Sequence, residues 1–90
     1  MDKPANKTER IFKALANRRR LDILRLLKDG NILSVGEIAA KIGLSFTATS
    51  KHLNILFNAD ILEKDQKSLQ IFYRIAANPE KIIGQILNFL

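Results

Sequence analysis

Cysteine is absent from this 90-residue sequence, and histidine occurs once, as His52. The absence of cysteine excludes disulfide bonds, thiolate nucleophiles and thiolate metal ligands. A transition-metal site would have to be assembled from carboxylates around a single imidazole, which is a poor ligand set. The sequence therefore predicts a protein with no metal site and no cofactor.

Long apolar runs are missing as well. No stretch approaches the length of a membrane span, and the first ten residues are polar and charged, unlike a signal peptide. The sequence has no glycine-rich phosphate loop and no grouping of catalytic side chains. These absences predict a soluble, non-enzymatic protein of the cytoplasm.

Basic residues outnumber acidic ones, with a net charge of +6 and a pI of about 10.0. This balance favours a polyanionic partner, most simply a nucleic acid, and a solvated basic surface is the alternative. The hydrophobic content of 47% is too high for a disordered chain. Ninety residues allow one domain, whose core is small enough that a partner subunit would add to its stability.

The segment of residues 34–62 predicts two short helices joined by a tight turn. Ser34 and Glu37 have the spacing of a capping box, which starts a helix. Gly43 can adopt the left-handed backbone that ends a helix, and Ser45 is a suitable N-cap for the next one. Two helices separated by a glycine turn form the helix-turn-helix unit, whose second helix enters a DNA major groove.

Two further helices are predicted before this unit. Residues 1–7 are expected to form a flexible tail, and Thr8 to cap a helix that runs to about Ala16. Asn17 is expected to cap a second helix that ends before Gly30. The expected inward residues of this second helix are Leu21, Leu24 and Leu27, with Leu26 as a further candidate and Ile23 at the flank.

The periodicity changes after Asp60. Alternating residues predict strands at 61–64 and 69–75, joined by a turn at about 65–68, with Leu69, Ile71, Tyr73 and Ile75 on one side. Asn78 and Pro79 suit an N-cap and a first helical position, and predict a final helix. The order predicts a mainly α fold with a small β-hairpin, a winged helix-turn-helix over residues 8–90. A small helical bundle with an incidental hairpin is the alternative.

Several phrases resemble, in order, those of the ArsR-like (arsenic-repressor type) winged-helix regulators. They are ALANRRRLDIL at 14–24, EIAAKIGLS at 37–45, SKHLNIL at 50–56 and IFYRI at 71–75. The resemblance covers about residues 11–90. It implies a transcriptional regulator that binds double-stranded DNA and forms a homodimer through its terminal helices.

The sequence departs from that family in three places. The second motif helix opens Ser45-Phe46-Thr47, where the family often has Ser-Gln-Pro or Ser-Gln-Ala, so the DNA target does not transfer. The wing tip at 65–68 lacks glycine, so its turn can differ. The cysteine pairs or His/Asp/Glu sets of the metal-sensing members are absent, so the resemblance implies no metal sensor.

The predicted DNA-binding residues lie on the helix from about Ser45 to Ala59, at the start of the preceding helix and on the wing. Lys51 suits a phosphate or guanine, and Asn54 suits adenine. Phe46 either contacts a thymine methyl group or packs as a hydrophobic staple at the start of the helix. Ser34, at an electropositive helix end, can hold a phosphate while it caps. The alternative for the wing is a hairpin that is exposed to solvent and makes no contact with DNA. The full predicted set is Ser34, Ser45, Phe46, Thr47, Thr49, Ser50, Lys51, Asn54, Lys64, Lys67 and Gln70.

Four other basic residues have different predicted roles. His52 falls on the inward side of its helix and is predicted to be half-buried and hydrogen-bonded across the fold, rather than a ligand. Arg20 matches the family's arginine and is expected to be structural. Arg18 and Arg19 are expected to form a solvated face rather than contacts to bases.

The final helix is apolar beyond what one core stripe needs, which suggests an interface between subunits. A monomer with a wide core stripe is the alternative. The sequence thus predicts a dimeric repressor that binds a pseudo-palindromic operator. The alternative function is a winged-helix protein-interaction module that docks in a larger assembly without binding DNA. The predicted dimer residues are Ile11, Phe12, Leu15, Ile82, Ile83, Ile86, Leu87, Phe89 and Leu90.

Overall fold

The computed structural model describes residues 6–90, which form five helices and three strands. They are α1 (Lys7–Leu15), α2 (Arg18–Leu27), β1 (Leu33–Ser34), α3 (Val35–Ile42), α4 (Phe46–Asn58), β2 (Leu62–Lys67), β3 (Gln70–Ile75) and α5 (Lys81–Phe89). The strands form one antiparallel sheet in the order β1-β3-β2. α3 and α4 are the helix-turn-helix pair and β2 and β3 the wing, so the predicted fold class is confirmed. Across residues 6–90, no helix has both the length and the hydropathy to cross a membrane.

α1 begins earlier than the sequence predicted. The Asn6 side chain accepts a hydrogen bond from the Glu9 N–H at 2.8 Å, so Asn6 is the N-cap instead of Thr8. Asparagine is a better N-cap than threonine, so the helix starts directly after Asn6. Residues 1–5 of the predicted tail lie outside the described residues, whereas Asn6 and Lys7 belong to the folded domain.

α2 starts at the predicted cap, where the Asn17 side chain accepts from the Arg19 and Arg20 N–H groups. Its inward stripe differs from the prediction because Ile23 is completely buried and Leu21 is only half-buried. α2 packs against α1, α3, α4 and β3, so its buried side is wider than a leucine repeat indicates.

The helix-turn-helix forms as predicted. Ser34 Oγ accepts from the Glu37 N–H at 3.1 Å, and the Glu37 carboxylate accepts from the Ser34 N–H at 2.8 Å. Gly43 takes a left-handed backbone with φ 66°, and Ser45 Oγ accepts from the Ala48 N–H at 3.1 Å. These bonds satisfy the free backbone groups at the helix ends and fix the turn between α3 and α4.

The wing is longer than predicted, because strand pairing continues from Leu62↔Ile75 to Lys67↔Gln70. The turn is therefore Ser68–Leu69 rather than 65–68. Ser68 takes φ 56°, a left-handed backbone that glycine usually supplies in two-residue hairpin loops. Leu69 consequently lies at the tip, outside the apolar side assigned to it, and is 98% exposed.

The chain between β3 and α5 corrects the predicted start of the last helix. The Ala76 N–H donates to Ile61 O at 3.0 Å and the Ala77 N–H to the Glu63 carboxylate at 3.1 Å. These bonds hold the chain against the start of the wing, so α5 begins only at Lys81 and neither Asn78 nor Pro79 is helical.

One hydrophobic core joins all five helices to the sheet. Leu24, Leu27, Ile38, Leu53, Leu56 and Ile61 are completely buried within it. Burial of each such side chain is worth roughly 1.5–3 kcal/mol, so this core holds the positions of α4 and the wing.

Candidate nucleic-acid interface

A cleft of ≈ 430 Å³ lies between the start of α3, one side of α4 and the wing. Six of the predicted DNA-binding residues line it: Ser34, Phe46, Ser50, Asn54, Lys64 and Gln70. Residues distant in the sequence therefore meet on one concave surface. Leu69 also lines the cleft, and sequence analysis missed it because it placed this residue inside the second strand.

The outer side of α4 presents polar side chains. Thr47, Lys51 and Asn54 are exposed at helical spacing, and Ser50 is half-buried between them and the cleft. Ser45, the N-cap, is exposed at the start of the same helix. Phe46 is 61% exposed, so its ring is free to contact a ligand.

Thr49 corrects the predicted set. Its side chain is completely buried, and its hydroxyl has no hydrogen-bond partner within residues 6–90. Because α4 turns by 100° per residue, Thr49 faces the core together with Leu53 and Leu56. It therefore does not belong to the exposed face of α4.

The wing carries its lysines next to aromatic rings. Lys64 Nζ lies 4.3 Å from the centroid of the Phe57 ring, and Lys67 Nζ lies 6.0 Å from that of Phe72. Both lysines are exposed, and these cation–π contacts direct them without neutralising their charge. They remain available to an anion.

Acidic side chains near the wing are already engaged. Arg74 forms ion pairs with Glu63, at 3.3 Å, and with Asp65. These carboxylates raise the pKa of Arg74. The hydrogen bonds from Ser34 lower the pKa of the Glu37 carboxyl, which keeps the capping box intact at neutral pH. Among residues 6–90, the lysines of the wing are thus left without an ion-pair partner.

A hydrogen-bond network behind α4 fixes its position. Arg20 donates from Nε to Ala14 O at 2.6 Å and from Nη2 to Lys13 O at 3.3 Å, and Nη1 lies 3.1 Å from His52 Nδ1. The predictions that Arg20 is structural and that His52 is half-buried and bonded across the fold are confirmed. One guanidinium joins α1, α2 and α4.

The predicted dimer residues divide into three groups. Ile11, Leu15 and Ile83 are buried by their own chain, so their assignment to an interface is corrected to the core. Ile82, Ile86, Leu87 and Leu90 are partly buried against that core. Phe12 and Phe89 are 50% and 86% exposed. A 2.8 Å ion pair between Lys7 and Glu80 joins α1 to the start of α5.

The described residues 6–90 contain no group of three or more His, Cys, Asp or Glu side chains placed to hold a metal ion. The prediction that no metal is bound rests on the composition of the chain.

Comparison with known proteins places these features in context. Residues 17–64, from the cap of α2 to the wing, match the family described as "Bacterial regulatory protein, arsR family". Two curated relatives align over most of their length. The transcriptional activator HlyU of Vibrio cholerae is 36% identical over 100% of this chain and 82% of its own. The transcriptional repressor SdpR of Bacillus subtilis is 35% identical over 89% of both chains.

A solved structure agrees with these sequence matches. The homodimeric winged helix-turn-helix DNA-binding domain of Mb0332 from Mycobacterium bovis superposes with a TM-score of 0.79. It is 32% identical, and the match covers 92% of this chain and 73% of that one.

Proposed function

This chain belongs to the arsR family of bacterial regulatory proteins, and we propose that it is a homodimeric repressor that inserts α4 into the major groove of an operator. The observation that carries the proposal is the single surface formed by the start of α3, the outer side of α4 and the wing. The relatives' description as transcriptional regulators supports a non-enzymatic role in the cytoplasm.

Different side chains on this surface would contact different parts of the DNA. Thr47 and Asn54 are exposed along α4 and would contact base edges in the major groove. Lys51, exposed on the same side, would contact a phosphate or a guanine. Lys64 and Lys67 on the wing would contact backbone phosphates. Ser34 keeps its capping bonds and would present the start of α3 to a further phosphate.

The second subunit would pack on the surface formed by α1 and α5. Phe12 of α1 and Phe89 of α5 are exposed, and further apolar side chains of α5 are only partly buried against the core. A two-fold dimer would place its recognition helices about 34 Å apart, which matches one turn of DNA. The homodimeric state of the Mb0332 domain supports this arrangement.

Selection from a random DNA library tests the proposal directly. We expect enrichment of one pseudo-palindromic sequence, whose affinity for the protein is then measured by fluorescence anisotropy over a salt series. Asn54→Ala is expected to relax the preference at one base pair by about 1–3 kcal/mol. Lys51→Ala is expected to lower the salt slope by about one unit if Lys51 contacts a phosphate.

Lys81→Ala provides the matched control, because Lys81 is exposed at the first position of α5, outside the proposed DNA surface, and is not one of the apolar residues assigned to the dimer. It should leave base preference unchanged. If the library yields no preferred sequence, or if Lys51→Ala and Asn54→Ala behave like Lys81→Ala, the proposal is wrong and the protein-interaction alternative gains support.

A further inference from the structure

Three consecutive arginines open α2, at the helix end where the backbone dipole is positive and cations are unfavourable. Two of them have structural partners. Arg20 bonds to Ala14 O, and Arg19 Nη1 donates to Ile42 O at 2.6 Å. The Arg18 side chain is exposed and makes no hydrogen bond or ion pair within residues 6–90. Within residues 6–90, no hydrogen bond or ion pair therefore offsets the unfavourable position of the Arg18 cation at the positive end of α2.

Arg18 lines a groove of ≈ 380 Å³ between α2 and α3. Arg19, Arg25 and Lys41 line it too, and Asp22 is the one carboxylate among the lining residues. Asp22 is already paired with Arg25 at 2.9 Å. Four cations against one carboxylate leave a concentrated positive surface, denser than the wing, where two carboxylates hold Arg74.

The groove adjoins the helix-turn-helix. Lys41 and Ile42 are the last two residues of α3 and directly precede the turn that leads into α4. The bond from Arg19 to Ile42 O ties the start of α2 to that turn. The groove therefore lies at the turn that precedes α4, the helix proposed to enter the major groove.

The occupant of the groove follows from its chemistry. Protein interfaces are organised around a buried apolar centre. Here the apolar lining is Leu26 and Ile42, and both are already half covered by the chain. The backbone N–H groups of Arg19 and Arg20 are bonded to Asn17, so an anion would be held by long cationic side chains. Such a groove suits a track of phosphates better than a protein segment.

We propose that this groove, lined by Arg18, Arg25 and Lys41, is a second phosphate-binding surface that holds operator DNA backbone flanking the segment contacted by α4. The inference rests on the proposed function, because it presupposes that α4 docks in a major groove. It adds phosphate contacts that carry affinity but no base preference.

The test compares Arg18→Gln and the double variant Arg18→Gln/Lys41→Gln with Lys81→Gln, a control with the same loss of charge as the single variant. Affinity for the selected operator is measured over a salt series. We expect the slope of log K against log salt to fall by about 0.9 for each lost phosphate contact, and by roughly twice that in the double variant. Base preference should not change, and Arg18→Lys should restore most of the slope.

Thermal unfolding separates this effect from damage to the fold. Arg18→Gln should melt at the same temperature as the original protein or higher, because it removes a cation from the positive end of α2. If the original protein selects an operator but Arg18→Gln and the double variant have the same salt slope as Lys81→Gln, the inference is wrong. If the original protein itself selects no operator, the proposed function is wrong instead.

Discussion

Arg20 Nη1 lies 3.1 Å from His52 Nδ1, in a partly buried contact between the first turn of α2 and the middle of α4. A guanidinium carries donors only, so Nδ1 must accept this bond. The imidazole is therefore neutral, with its proton on Nε2. Protonation of Nδ1 would break the bond and place a second positive charge beside Arg20.

Acid is expected to destabilise the protein through His52. Burial, followed by the charges of Arg20 and Arg19, lowers the pKa of His52 in the folded chain below its ordinary value of about 6.5. The unfolded chain binds a proton that the folded chain does not, so stability is complete above about pH 6.5 and declines as the pH falls below it. Urea unfolding at a series of pH values measures this. His52→Gln should flatten the dependence immediately below about pH 6.5; the same dependence in both proteins would contradict the assignment.

Arg20→Lys is expected to lower the free energy of unfolding by about 1.5–3 kcal/mol, because an ammonium cannot reach Ala14 O, Lys13 O and His52 at once. Arg18→Lys is the control in the same helical turn and should change it by less than about 0.5 kcal/mol. Equal unfolding midpoints for the two variants in urea would show that the Arg20 contacts contribute little.

Thr49→Val is expected to stabilise the fold by about 1 kcal/mol. The change removes a buried hydroxyl, which has no hydrogen-bond partner within residues 6–90, and puts a methyl group of similar size in its place. Operator affinity should stay the same, because Thr49 faces the core. Thr47→Val, two residues earlier on the exposed side of α4, is the control and should weaken operator binding with little change in stability. A Thr49→Val protein that is stable but no longer binds operator would return Thr49 to the DNA surface.

Phe89→Glu is expected to shift the protein from dimer to monomer in light scattering, since it places a charge on the most exposed apolar side chain of α5. The helical circular dichroism should be retained, because Phe89 contributes little to the core of its own chain. Ile32→Glu, a similar change at an exposed apolar residue outside α1 and α5, should leave the dimer intact. A monomeric original protein at high micromolar concentration would refute the dimer.

Local signals predicted the parts of the fold that depend on neighbouring residues. The capping box of Ser34 and Glu37, the left-handed Gly43 and the cap at Ser45 each act within three or four residues, and all three are present. The start of α5 depended on long-range bonds instead. Ala76 and Ala77 are held by Ile61 and Glu63, and these contacts override the helix-starting preference of Asn78 and Pro79.

The site was predictable to the extent that one helix face defines it. The exposed positions of α4 follow from helical spacing, yet Thr49 lay at the border of that face, where an error of one position turns a contact residue into a core residue. Leu69 was missed because the pairing register of the wing, which no local pattern specifies, decides where the turn falls. β1 was missed because two residues are too short to show an alternation.

Ser34 has three roles in the structure. It pairs with Phe72 in the sheet, caps α3 and lines the cleft. Ser34 therefore connects the start of the helix-turn-helix directly to the wing strand β3. A designer who exchanges this wing for that of a relative must transplant Leu33 and Ser34 with it. A graft cut only at the ends of β2 and β3 would pair the new hairpin with the original β1 instead of the third strand of its own protein.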